Sequence, residues 1–145
     1  MREPLTDELL AELLAGPDPA AFAARHRIAA HRTAPEYLQQ LLDEKGLQRA
    51  QVVRAAGLNE THGYQIFVGT RRGSRDKMLA LAFAMGLSLQ ETNRLLQAAQ
   101  VNELYCKGRR DAIIIFCLEH GCTLQQVDEE LYRFGEDTVT SPDKP

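Results

Sequence analysis

Tryptophan is absent from the 145 residues, aromatic residues make up 6%, and cysteine occurs only three times. Cys106, Cys117 and Cys122 are an odd number, so no disulfide framework follows from them. His120 lies between the last two, but a structural zinc site presents two clean ligand pairs and this cluster does not. Buried thiols in a reducing compartment are the expectation. Long apolar runs are also missing. The longest strictly apolar stretch is residues 78–85, with 112–118 behind it, against the roughly 20 residues a membrane span requires. The opening Met1-Arg2-Glu3-Pro4, followed by Asp7, Glu8 and Glu12, does not read as a secretory signal. The expectation is therefore a cytoplasmic protein with no membrane partner.

Excess charge of one sign is lacking too. The formal net charge is −3, which argues against a general polyanion binder but leaves room for a local basic face. Residues 69–77 hold four basic side chains and one acid, whereas 109–145 hold four basic side chains against eight acids. The basic patch is central and the C-terminal part is acidic.

What is present is helix. Leu5, Leu9, Leu10, Leu13 and Leu14 recur at helical spacing, as do Tyr37, Leu38, Leu41 and Leu42. Gly16-Pro17 closes the first helix, and Asp18-Pro19 opens a second that should run to about residue 31. Thr33 to Glu36 has the spacing of a capping box. Three corners share one pattern, at Gly46–Gln51, Gly86–Glu91 and Gly121–Gln126. Each has a glycine, an apolar residue, a polar N-cap candidate, and Gln or Glu three positions later. The last two corners belong to an internal repeat. Residues 73–100 align with 108–135 at an offset of 35, with seven identities in 28, among them Arg75/Arg110 and Asp76/Asp111. Two copies are too few for a solenoid, so two similar hairpins in one domain are expected. The repeat also makes 112–118 a helix despite its three isoleucines, and a helix apolar on every side is expected to be buried. Its cover would be the N-terminal helices or another copy of the chain, which predicts a homodimer through the C-terminal hairpin.

One segment carries a functional signal. Residues 36–45 form an opening helix, followed by Gly46-Leu47 and a short helix with Val52, Val53 and Ala56. A turn at Gly57-Leu58-Asn59 leads into 60–67, then Gly69-Thr-Arg-Arg, and a further helix runs from Ser74 to Gly86-Leu87. This stretch resembles the lambda-repressor-like, or XRE/Cro, family of helix-turn-helix transcriptional regulators. Glycine permits the left-handed turn, Asn59 suits an N-cap, and Ile66 and Phe67 supply a buried side. Phe67 and Gly73 stand where many members have Glu and Pro, and Gly63 stands where a core aliphatic is usual.

The resemblance implies an all-α, lambda-repressor-like helix-turn-helix bundle over residues 36–101. An N-terminal helical extension (1–35), a C-terminal helical hairpin (102–135) and a flexible tail (136–145) complete the expected layout. It also implies a sequence-specific regulator that binds double-stranded DNA in the major groove. Gln48 and Arg49 would meet the phosphate backbone. Thr61, His62 and Gln65 would face base edges, with Gln65 suited to adenine. Glu60 would lie nearest the DNA and repel phosphates unless it accepts from a cytosine amino group, and Tyr64 would either contact DNA or pack on its neighbours. Arg71, Arg72 and Arg75 would clamp phosphates. The competing readings are a solvated loop for the arginines and an uninvolved surface residue for His62. A rival for the whole face is a protein-binding adaptor, favoured by Glu60, Gly63, Tyr64 and the acidic total.

No set of residues points to catalysis, a metal or a cofactor. His26 and His31 lie five apart, the wrong spacing for a shared helix face. Residues 69–73 lack the Gly-Lys-Ser/Thr ending and the preceding strand of a Walker loop, and no nucleophile, base and acid fall into a context that would join them.

Overall fold

A computed structural model describes residues 6–16 and 33–140, and those residues are helical with no strand among them. The helix expected over 19–31, with His26 and His31, lies outside the described residues. The chain divides into two compact units, 1–31 and 32–145. The first contains α1 (Thr6–Ala15). The second contains α2 (Ala34–Lys45), α3 (Arg49–Ala55), α4 (Glu60–Val68), α5 (Arg75–Ala84), α6 (Leu89–Ala98), α7 (Arg109–Glu119) and α8 (Leu124–Arg133).

Cap chemistry sets these boundaries. Ser88 and Thr123 form complete capping boxes with Glu91 and Gln126, each side-chain cap contributing about 1 kcal/mol. Thr33 accepts from the Glu36 amide, one half of the expected box. The first corner departs further: Gln48 occupies the N-cap of α3 but makes no side-chain cap. Its side chain is longer than the Ser, Thr, Asn and Asp that reach their own helix amides.

The core centres on α5, where residues 78–83 are buried without a break. It packs against α3, α6 and α8, while α2 packs on α4 and α6. A single apolar cluster runs from Tyr37 to Val139. Residues 36–101 and the C-terminal hairpin therefore share one core.

The two hairpins, α5–α6 and α7–α8, are related more closely than the matched sequence indicates. The Arg75 guanidinium meets Asp111 through two bonds of 2.7 and 3.0 Å, and Arg110 meets Asp76 at 3.0 Å. Arg75 also donates to the carbonyls of Asn102 and Glu103, and Arg110 to those of Asp137 and Thr138, 35 positions later in each case. The Leu104 amide donates to Asn93, and the Val139 amide to Asp128, again offset by 35. Because each copy's arginine takes the other's aspartate, the pairing is reciprocal, with the self-complementary pattern of a two-fold contact. Packing of α5 on α8 and of α6 on α7 obeys the same rule. The repeat thus extends to residue 139. Residues 136–140 are not the flexible start of a tail: Val139 is buried and Asp128 fixes the amides of Val139 and Thr140.

Two further expectations change. Helix α7 is not enclosed on every side: Ile114, Cys117 and Leu118 are buried, but Phe116 is 59% exposed and stacks on His120. Its counterpart in the first copy, Leu81, is fully buried. Helix α5 has the additional cover of α3, whereas among the described residues α7 packs on α6 and α8. Of the thiols, Cys117 is buried, Cys122 is half-buried and Cys106 is exposed. Burial and the neighbouring Cys122 push the Cys117 thiol up to about 12, so it stays protonated.

The reciprocal Arg75–Asp111 and Arg110–Asp76 pairs form a clasp between the two hairpins, and its carboxylates make stability depend on acidity. Burial disfavours the charge on Asp111, but bonds from Arg75 and the Tyr105 amide outweigh it and hold the carboxyl below its usual range. Burial likewise opposes the charge on Glu91, outweighed by the Ser88 amide and Lys45, which lies 3.2 Å away. A depressed carboxylate contributes its full stabilisation above the unfolded pKa and loses it as pH falls through the folded value. Urea unfolding from neutral pH to below the ordinary carboxylate range should therefore show falling stability. Asp111→Asn should flatten that fall, and an equal slope in both proteins would remove Asp111 from the account.

Candidate nucleic-acid interface

Helices α3 and α4 are joined by residues 56–59. Gly57 has φ 72°, a left-handed conformation that lets the chain turn there without strain. Asn59 then caps α4 by accepting from the His62 amide at 3.2 Å. Gly63, Ile66 and Phe67 are buried on one side of α4. Glu60, Thr61, Tyr64 and Val68 are exposed and Gln65 is half-buried, a spacing of one, three and four that defines a single face. Glu60 stands in the first turn, where the helix dipole favours a carboxylate.

Gly63 is explained by α3. A Cβ at this position would lie 2.4 and 2.8 Å from the two Val53 methyls. Val53 fills the space that an aliphatic side chain at 63 would otherwise occupy, and the two helices approach closely there.

The basic residues divide into two groups. Arg75 is spent on the clasp, with its guanidinium on Asp111 and two carbonyls. The expectation that it grips phosphates therefore gives way to a structural role. Arg49, Arg71 and Arg72 are exposed, yet each is held. The Arg49 guanidinium lies 4.6 Å from the centre of the Tyr64 ring. Arg71 donates to His62 Nδ1 at 3.0 Å, and Arg72 donates to the Gln100 side-chain carbonyl.

His62 differs from its expected role. Arginine only donates, so Nδ1 accepts and the proton of the neutral ring sits on Nε2. Nε2 is shut away from solvent without a hydrogen-bond partner. Desolvation, followed by Lys77 and Arg71, pushes the His62 pKa down, which keeps the ring neutral. It presents no available polar atom to a base edge. Gln48 is exposed at the start of α3.

Sequence reasoning did not identify Val68, which ends the exposed face of α4 at 44% exposure, or Gln100. Gln100 has φ 61°, the single left-handed non-glycine among the described residues, and the matching position in the second copy is Gly135 at φ 74°. The 35-residue offset already pairs those two residues, as the last pair of the aligned range, and a glycine opposite Gln100 signals the left-handed turn.

No group of three or more His, Cys, Asp or Glu side chains among the described residues is placed to hold a metal ion. No described helix is long and apolar enough to cross a membrane. Comparison with protein-family models, curated proteins and solved structures finds no match.

Proposed function

We propose that this chain is a sequence-specific DNA-binding regulator that lays α4 in the major groove. The observation that carries the reading is the exposed face of α4, flanked by Arg49, Arg71 and Arg72. Thr61 and Gln65 sit on that face with polar ends suited to base edges. Gln65 matches adenine, Glu60 a cytosine amino group, and the methyls of Thr61 and Val68 thymine. The three arginines supply sequence-independent attraction to phosphates. A small negative net charge does not oppose this, because residues 69–77 hold four basic side chains against one acid. Pairing of two copies on half-sites one turn of duplex apart would raise affinity as it does for such regulators.

Selection from a randomised duplex pool, followed by titration at two salt concentrations, tests the reading. Gln65→Ala should cost about 1–3 kcal/mol on the selected duplex and little on an unrelated one. Arg71→Ala with Arg72→Ala should weaken both duplexes alike. It should also reduce the slope of log affinity against log salt by about 0.9 per lost contact. Failure to enrich any duplex would end the DNA reading. It would favour the second one, a protein-binding face, for which Tyr64 at 49% exposure and Val68 beside it provide the apolar surface.

A further inference from the structure

We infer that Tyr64, His62 and Gln100 are positioning residues that hold Arg49, Arg71 and Arg72 in place for duplex phosphates. The inference rests on the DNA reading above and assigns different work to two residues of the same helix. A long arginine side chain free in solvent loses rotamer freedom when it grips a phosphate, and an arginine already held loses less. Each of the three has a holder of a different chemistry. Tyr64 offers a ring face to Arg49 across the α3–α4 junction, His62 a neutral imidazole nitrogen to Arg71, and Gln100 an amide oxygen to Arg72.

Gln100 carries the argument furthest. A left-handed backbone is costly for glutamine and nearly free for glycine, and the second copy of the repeat uses Gly135 at this position. The first copy keeps a side chain there despite the cost, and that side chain reaches back 28 residues to Arg72. An unfavourable conformation retained for the sake of a side-chain contact points to a requirement outside folding. His62 shows the same trade, since bonding Arg71 leaves Nε2 buried without a partner.

Direct reading of bases then falls to Glu60, Thr61, Gln65 and Val68. Loss of a holder should weaken binding to every duplex, because phosphates carry no sequence information.

The test uses the full chain, the duplex selected from the randomised pool and an unrelated duplex of equal length. Gln100→Gly should lower affinity for both by about 3- to 10-fold, the cost of ordering one long side chain on binding, while the melting temperature holds or rises. Tyr64→Leu should do the same and Tyr64→Phe should not, since phenylalanine keeps the ring face. In an Arg72→Ala background the Gln100→Gly loss should vanish, and in an Arg49→Ala background the Tyr64→Leu loss should vanish. Wild-type binding with unchanged affinity in Gln100→Gly and Tyr64→Leu overturns the inference and leaves the DNA reading standing. Losses that persist in the arginine-deleted backgrounds overturn it as well, because the side chains would then touch DNA themselves. A wild-type chain that binds neither duplex removes the DNA reading and this inference with it.

Discussion

Arg75→Ala should lower the unfolding free energy by about 2–4 kcal/mol, a large effect for a residue that sequence alone places in an exposed basic loop. Removing one partner of a buried ion pair costs about 3–5 kcal/mol because the other charge is left unpaired. The side chains of Arg75 and Asp111 retain 24% and 15% exposure, so solvent screens the orphaned carboxylate and the expected figure is lower. Loss of the donors to Asn102 and Glu103 adds to it, since those carbonyls must find water. The double variant Arg75→Ala/Asp111→Ala should be more stable than the sum of the two single losses predicts, because no unpaired charge remains. Arg110→Ala should cost a similar amount by the reciprocal geometry. Urea denaturation of the four proteins in the cycle measures this. Additive losses would mean that Arg75 and Asp111 do not depend on each other. The salt dependence of DNA affinity should be unchanged in Arg75→Ala, in contrast to the Arg71/Arg72 pair.

The contrast between Arg75 and its neighbours shows how far sequence reaches here. Local chemistry was readable because a cap needs only the residues within one turn. Asn59 before α4 and the Ser88 and Thr123 boxes follow from spacing alone, and the repeat settled α7 as a helix. Partner choice across the fold was not readable. Arg75-Asp76 and Arg110-Asp111 are visible as a repeated pair, but nothing in the string says that each arginine takes the distant aspartate. An arginine that grips carbonyls looks the same in sequence as one that grips a phosphate. The exposure of Phe116 has a related cause: a repeat transfers a helix's conformation but not its cover. The first hairpin has α3 against it, and within residues 33–140 no third helix packs on α7 in the same way. Gln48 is polar and stands at the N-cap position, but its longer side chain makes no cap.

Gly63 is the position where composition misleads most, and replacing it with alanine should destabilise the protein by about 2 kcal/mol. Helix propensity alone predicts the opposite sign, since alanine is favoured over glycine by about 1 kcal/mol inside a helix. Packing should overrule it. The added carbon would meet Val53 at 2.4, 2.8 and 3.1 Å, and all three contacts are to one β-branched side chain. Val53 has few rotamers available and is 3% exposed, so it cannot swing aside as a long flexible end would. Relief requires α3 and α4 to separate, and overpacking of this kind costs about 1–3 kcal/mol before relaxation is exhausted. Val53→Ala removes the obstruction and by itself should cost about 1.5–3 kcal/mol of lost burial. The double variant should then be clearly more stable than the two losses added together, because alanine at 63 fills part of the space that Val53 vacates. The same displacement should move Tyr64, the next residue on α4, away from the Arg49 guanidinium it now faces at 4.6 Å. Gly63→Ala should therefore weaken DNA binding to all sequences alike, and the Val53→Ala background should restore part of that affinity along with the stability. Denaturation curves and duplex titrations on the four proteins report both. Simple additivity in stability would show that the helices accommodate the carbon without strain, and the close approach would lose its role in setting the interface.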